Sequence, residues 1–138
     1  MLFERNAVRY LSAVVILELL VGARSPRDRR ALKALVTDFR RSGRILVPTA
    51  SVYEEAGEVL RRLQAEMGYG VSGASSLVND VLIALSARSI GATVITQNRG
   101  DFEAIQTTSP FKLAIVSRIP THQLSQKKPT PNGYERPI

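Results

Sequence analysis

An α/β fold with a mainly parallel sheet is the architecture that this 138-residue chain predicts, and three observations carry it. Short β-rich runs alternate with longer segments whose apolar residues recur at helical spacing. The run Ala92-Thr-Val-Ile-Thr96 is continuously apolar and β-branched, as a strand covered on both faces should be. Serine, proline and glycine stand at the junctions where helices should start and stop. The length fits one domain with a single core.

The elements follow in order. Ala7 to Leu11 reads as a short strand, and Ser12 as the N-cap of a helix from about Ala13 to Leu20, with Gly22 as its stop. Ser25-Pro26 opens a second helix, with proline at a tolerated first-turn position. Its apolar residues are Ala31, Leu32, Leu35, Val36 and Phe39, and Ser42-Gly43 ends it. Arg44 to Val47 is a second strand. Pro48 and Thr49 then lead into a long amphipathic helix with Val52, Ala56, Val59, Leu60 and Leu63 on one face. Gly68 to Gly73 is a glycine-bearing loop without the closing Lys-Ser/Thr of a phosphate loop. Ser75 and Ser76 are candidate caps for a helix from about Leu77 to Ser89, closed by Gly91. The strand Ala92 to Thr96, a helical turn around Asp101 to Ile105 and a last strand from Lys112 to Ser117 complete the pattern. From residue 119 onward the chain has little to bury and several prolines, and it reads as a disordered or loosely docked tail after a domain of residues 1–118.

Composition narrows the chemistry. There is no cysteine, which removes disulfides, thiol nucleophiles and cysteine-based metal sites. His122 is the single histidine and lies in the polar tail, so a Ser/His/Asp triad has no base. No secretory signal or membrane span is evident: Val14 to Val21 is interrupted by Glu18 and falls short of the ~20 residues a spanning helix needs. A cytoplasmic protein is the expectation. Net charge is +7, which points to a polyanionic partner. Eight basic residues (Arg24, Arg27, Arg29, Arg30, Lys33, Arg40, Arg41, Arg44) oppose only Asp28 and Asp38 in one segment, a local net of +6. That segment reads either as a solvated helix face or as a surface that tracks phosphates, with salt-dependent binding.

Three acids are candidates for chemistry: Glu18 and Asp80 interrupt apolar helical patterns, and Asp101 sits in the polar turn after the strand Ala92 to Thr96. Glu18 shares a helix face with Val14, Val15, Val21 and Gly22, and could instead bury its stem and extend its head to solvent or an arginine. Asp80 has Leu77, Val81 and Ala84 on its face; the helix dipole favours an acid this early in a helix but does not explain its core-facing position. Asp101 could be the N-cap of Phe102 to Ile105, a part Asn98 could also play. Burying a carboxylate costs several kcal/mol unless it is compensated. Together the acids suit a hard divalent cation, Mg²⁺ or Mn²⁺, which prefers oxygen ligands and can activate water for in-line displacement at phosphorus.

Three motifs, in order and in register over roughly Val8 to Ser117, resemble a PIN-domain nuclease, most closely the VapC-type toxins of toxin–antitoxin pairs. Tyr10-Leu-Ser-Ala-Val-Val-Ile-Leu-Glu-Leu-Leu-Val-Gly22 resembles the family's second strand and following helix with its site glutamate. Asn79-Asp-Val-Leu-Ile-Ala84 resembles its D-x-x-I-A helix, and Thr96-Gln-Asn-Arg-Gly-Asp-Phe102 its T-x-(N/D)-x-x-D-F strand exit. The resemblance implies a three-layer α/β/α fold and a Mg²⁺- or Mn²⁺-dependent endoribonuclease. It implies Glu18, Asp80 and Asp101 as catalytic metal ligands, Asn98 as a further ligand position, and Thr96 as a residue that orders the site. RNA as substrate, a cognate antitoxin and a homodimer are likewise implications of the family.

One departure stands out. Family members open with a hydrophobic strand ending in an aspartate, followed by a first helix; that strand is central to the sheet and its aspartate to the metal site. Nothing before Val8 corresponds, since Met1-Leu-Phe-Glu-Arg-Asn6 is too short and Glu4 is wrongly spaced. The expectation is therefore an N-terminally truncated PIN-like domain lacking the usual first strand and helix. The alternative function is a catalytically inactive PIN-like module that binds RNA or a protein. A phosphoacceptor receiver-like domain fits less well, because Lys112 begins its strand instead of ending it.

Overall fold

The computed structural model describes residues 7–68 and 75–117. The domain boundary at 118, the tail from 119, and most of the Gly68 to Gly73 loop lie outside the described residues. Within them the chain runs β1 (Leu11–Ser12), α1 (Ala13–Gly22), α2 (Pro26–Arg41), β2 (Ile45–Leu46), α3 (Ala50–Met67), α4 (Ser75–Ser89), β3 (Thr93–Thr96), α5 (Gly100–Thr108) and β4 (Lys112–Ile115).

Local chemistry explains most of the junctions. The Ser12 Oγ accepts the Val14 N–H at 3.2 Å, so the chain passes from β1 into α1 with no intervening loop. Ser25 caps α2 through the Asp28 N–H at 3.0 Å, with Pro26 just inside the helix. Thr49 caps α3 through the Val52 N–H at 3.2 Å. Gly91 follows α4 at φ 68°, a left-handed conformation glycine adopts without strain, and its N–H returns to the Arg88 carbonyl.

Several boundaries differ from the sequence expectation. The first strand is only Leu11–Ser12, because parallel pairing with Ile45 and Leu46 reaches no further, and Val8 and Tyr10 are exposed. The second strand shrinks for the same reason. Helix α1 runs through Gly22 and ends at Ala23, so Gly22 is its last residue, not its stop. Helix α4 starts at Ser75, and α5 extends from Gly100 to Thr108, well beyond a single turn. The extension of α5 buries Phe102, Ala104 and Ile105 and sets Phe102 edge-on to Phe111, 6.4 Å between ring centres.

Both strand pairs are parallel, β1 with β2 and β3 with β4, and among the described residues no strand joins the two pairs. Helix packing holds the halves together. The larger core gathers Val52, Ala56, Val59 and Leu63 of α3 around Leu77, Val81 and Leu85 of α4, with Val94 and Ile105. A smaller one joins Leu11, Val15 and Leu19 to Leu32 and Val36 of α2. Val14 belongs to the larger core and Val15 to the smaller, so α1 is wedged between them, and Ile83 of α4 touches both.

Candidate active site

The wedged position of α1 decides where Glu18 points. Val14, Val15 and Leu19 are buried, whereas Leu17, Leu20 and Val21 are exposed, so the face that Glu18 shares with Val14, Val15 and Val21 is buried at its start and open at its end. Glu18 lies one turn after Val14 and is half-buried, on the flank of α1 that turns toward the larger core and α4.

Helix α4 is buried or half-buried on every side from Leu77 to Arg88, as a helix enclosed by others should be. Leu77, Val81, Ala84 and Leu85 are no more than 2 % exposed, and Asp80 among them is 7 % exposed. Opposite it, β3 delivers Thr96 to the sheet's end. The Thr96 Oγ1 accepts the Asn98 N–H at 3.0 Å and so shapes the turn. The Asn98 Nδ2 then donates to the Asp80 Oδ2 in a long hydrogen bond of 3.4 Å. Two residues on, α5 begins, and Asp101 is its second residue, half-buried in the first turn where the helix dipole favours a negative charge.

Asp101 and Glu18 both act on Asp80 through charge. Burial pushes the Asp80 carboxyl up from 3.8 to about 7, and the negative charges of Asp101 and Glu18 act in the same direction. The ion pairs Arg61–Glu58, Arg88–Glu55 and Arg99–Glu103 involve neither Asp80 nor Asp101. Asp80 therefore stands as a buried carboxyl in a field of like charge.

The donor set fits a hard divalent cation. Its members are three carboxylates and the carboxamide oxygen of Asn98, whose amide hydrogen is already engaged by Asp80. A cation would also reverse the penalty that raises Asp80. Among the described residues, however, no three carboxylate or imidazole side chains are drawn together closely enough to form a finished metal cage. The acids share a field while standing short of a common coordination shell.

Residues 2–107 match the PIN domain family, and the chain belongs to that family. PIN domains are usually nucleases that act with divalent metal ions and bind nucleic acid. No curated protein and no solved structure matches the chain. No helix of the described residues is long and apolar enough to cross a membrane.

Of the expected site residues, Asp80 and Asn98 are in direct contact, and Glu18 and Asp101 both act on Asp80 through charge. The alternative part for Asp101 as a helix N-cap is not what the structure holds. Arg99 occupies the cap position, no side chain caps there, and Asp101 sits inside the helix. Sequence reasoning missed a clamp behind the site: the Arg88 guanidinium pairs with Glu55 of α3 and donates to the Ser109 Oγ at 2.6 Å. That clamp ties α3, α4 and the end of α5 together. Its partners lie 33 and 21 residues away, so no local pattern signals it.

Proposed function

We propose that the protein is a Mg²⁺- or Mn²⁺-dependent endoribonuclease, the VapC-type toxin of a toxin–antitoxin pair, acting in the cytoplasm on RNA. The observation that carries this reading is Asp80: a carboxyl 7 % exposed, raised to about 7 by burial and by Asp101 and Glu18, with the Asn98 amide as its hydrogen-bond partner. Replacement by an apolar residue would relieve that cost, so an acid in this apolar helix favours a working role. Family membership and the basic segment from Arg24 to Arg44 support the nucleic-acid substrate.

In this reading Glu18, Asp80 and Asp101 hold the cation, with Asn98 as a fourth oxygen donor. A divalent cation there supplies activation of the attacking water and charge stabilisation at the phosphodiester. The chain's own residues do the positioning. Asn98 fixes the carboxylate plane of Asp80, Thr96 fixes Asn98, and the first turn of α5 holds Asp101 at the favourable end of its dipole. The nuclease domain spans residues 1–118 with the remainder as a tail, and a cognate antitoxin and a second copy of the chain are its protein partners.

The test is cleavage of RNA by purified protein with Mn²⁺. Mn²⁺-dependent cleavage that Asp80→Asn abolishes supports the proposal. Cleavage that survives Asp80→Asn, or folded wild-type protein that never cuts and shows no cation-induced thermal stabilisation, refutes it and leaves a non-cutting PIN-like module.

A further inference from the structure

Helix α2 contributes nothing to the acidic site, yet it carries the densest charge on the molecule. Its inward face is Leu32, Leu35, Val36 and Phe39, packed on α1. Arg27, Arg29, Arg30, Lys33, Arg40 and Arg41 are all exposed. The helix is also sorted by sign. Asp28 and Asp38 fall on the flank of Ala31 and Leu35, at spacings of three, seven and ten residues, which superimpose on a helix. Arg29, Lys33 and Arg40 line the other flank, four and seven residues apart, while Arg27, Arg30 and Arg41 form the crest. Among the described residues no carboxylate pairs with any of these six cations; the Arg29 guanidinium instead donates to the Arg24 carbonyl at 3.1 Å.

An array of unpaired cations on one side of a rigid helix repels itself, and natural helices usually relieve this with acids one turn away. Asp38 stands one turn before Arg41, yet no ion pair forms between them, and Asp28 faces away from the crest. A polyanion lying along the crest would relieve the repulsion. The sixteen residues of α2 extend ~24 Å, enough to follow several successive phosphates. The crest and the basic flank expose no aromatic side chain, since Phe39 is turned into the core; the grip is therefore on backbone charge, with no platform on which bases could stack.

The position of this face relative to the acids is informative. Helix α2 packs on α1 through Val15 and Leu19, whereas Glu18 lies on the flank of α1 that turns to α4. Arg40 lines an open groove together with Ala13 and Ile16 of α1. At least one helix–helix spacing, ~8–10 Å, thus separates the axis of α2 from that of the helix bearing Glu18.

We infer that the crest and basic flank of α2 form a remote phosphate rail, which holds RNA by its backbone, without reading sequence, at a distance from the cleavage centre. The inference rests on the ribonuclease reading for its substrate but not for its readout. The rail sets how tightly a long RNA is held and leaves the cutting step alone.

Binding is measured first, by fluorescence anisotropy in chelator, with a fluorescent 30-nucleotide RNA and a single-phosphate dinucleotide too short to follow the rail, for wild type and for Arg30→Glu/Arg41→Glu. Both side chains are exposed and unpaired, so the fold should persist, which circular dichroism checks. The rail predicts that the double variant loses roughly tenfold or more in affinity for the long RNA and that its salt slope falls by about 1.5. Affinity for the short RNA should change little, and RNAs of different base composition should respond alike. In Mn²⁺ the variant should raise KM for long RNA and leave kcat within about twofold. Long-RNA affinity that the double reversal leaves unchanged overturns the rail, as does loss confined to anionic vesicles of mixed phosphatidylserine and phosphatidylcholine. Equal loss for short and long RNA places these arginines at the site itself and also overturns it. Absent cleavage with intact rail-dependent binding would sink the nuclease reading alone.

Discussion

Replacing Asp80 with asparagine should make the metal-free protein more stable at neutral pH, although it removes a residue of the site. Asp80 binds a proton more tightly in the folded state, at about 7, than the 3.8 of an unperturbed aspartate. Between those values the folded protein holds more protons than the unfolded chain, so stability falls as pH rises. The penalty is absent below pH ~4 and complete above pH ~7. Three pH intervals at 1.36 kcal/mol each set a ceiling of about 4 kcal/mol; relaxation around the charge should reduce it to ~1–3 kcal/mol. The substituted carboxamide would keep the shape of the side chain and could still meet Asn98, while carrying no charge to bury. Urea denaturation in chelator at pH 5 and pH 8 checks this. The wild type should lose stability between the two values and Asp80→Asn should lose much less, ending the more stable at pH 8. A variant with the same pH slope as wild type, or one less stable at pH 8, would refute the claim that burial and the neighbouring acids strain this carboxyl.

Other outcomes follow from the same geometry. Millimolar Mn²⁺ should raise the melting temperature more at pH 8 than at pH 5.5, because the carboxyls must ionise to bind it, and differential scanning fluorimetry reads the difference. Asn98→Ala removes a donor to the ionised Asp80 and should lower cleavage by about tenfold with a stability change under ~1 kcal/mol, checked by initial rates and urea melts. Arg88→Ala cuts the clamp to Glu55 and Ser109 and should cost ~1–2 kcal/mol, discounted for partial exposure, with no change in Mn²⁺ affinity. Leu63→Ala, at a position with no exposed surface, should cost about 2–5 kcal/mol in the same denaturation assay.

What could be read from the chain follows the range of the forces involved. Ser12, Ser25 and Thr49 cap their helices as expected, because capping involves residues two or three positions apart. Asp80 was legible as an anomaly because a single acid breaks an apolar helical pattern. The family motifs placed Glu18 and Asp101 with it, and the structure puts both within electrostatic reach. Strand lengths differ from the expectation because the register ends at Leu11–Ile45 and Ser12–Leu46: Arg44 reaches β1 only through its carbonyl, which accepts the Leu11 N–H at 2.9 Å, and Val47 is exposed beyond the pairing. The length of α5 was missed for a related reason: Ala104 and Ile105 extend the helix by packing into a core built from distant residues. The Arg88 clamp and the separation of the strands into two pairs are tertiary facts with no local mark.

The central claim, that Glu18, Asp80 and Asp101 share one divalent cation, is tested most directly by titrating Mn²⁺ into the protein at pH 8. The free ion is followed by electron paramagnetic resonance. Wild type should take up one equivalent of Mn²⁺, and Asp80→Asn and Asp101→Asn should each weaken that uptake at least tenfold. Uptake that both variants leave intact, or none by folded wild type at millimolar Mn²⁺, would contradict the account.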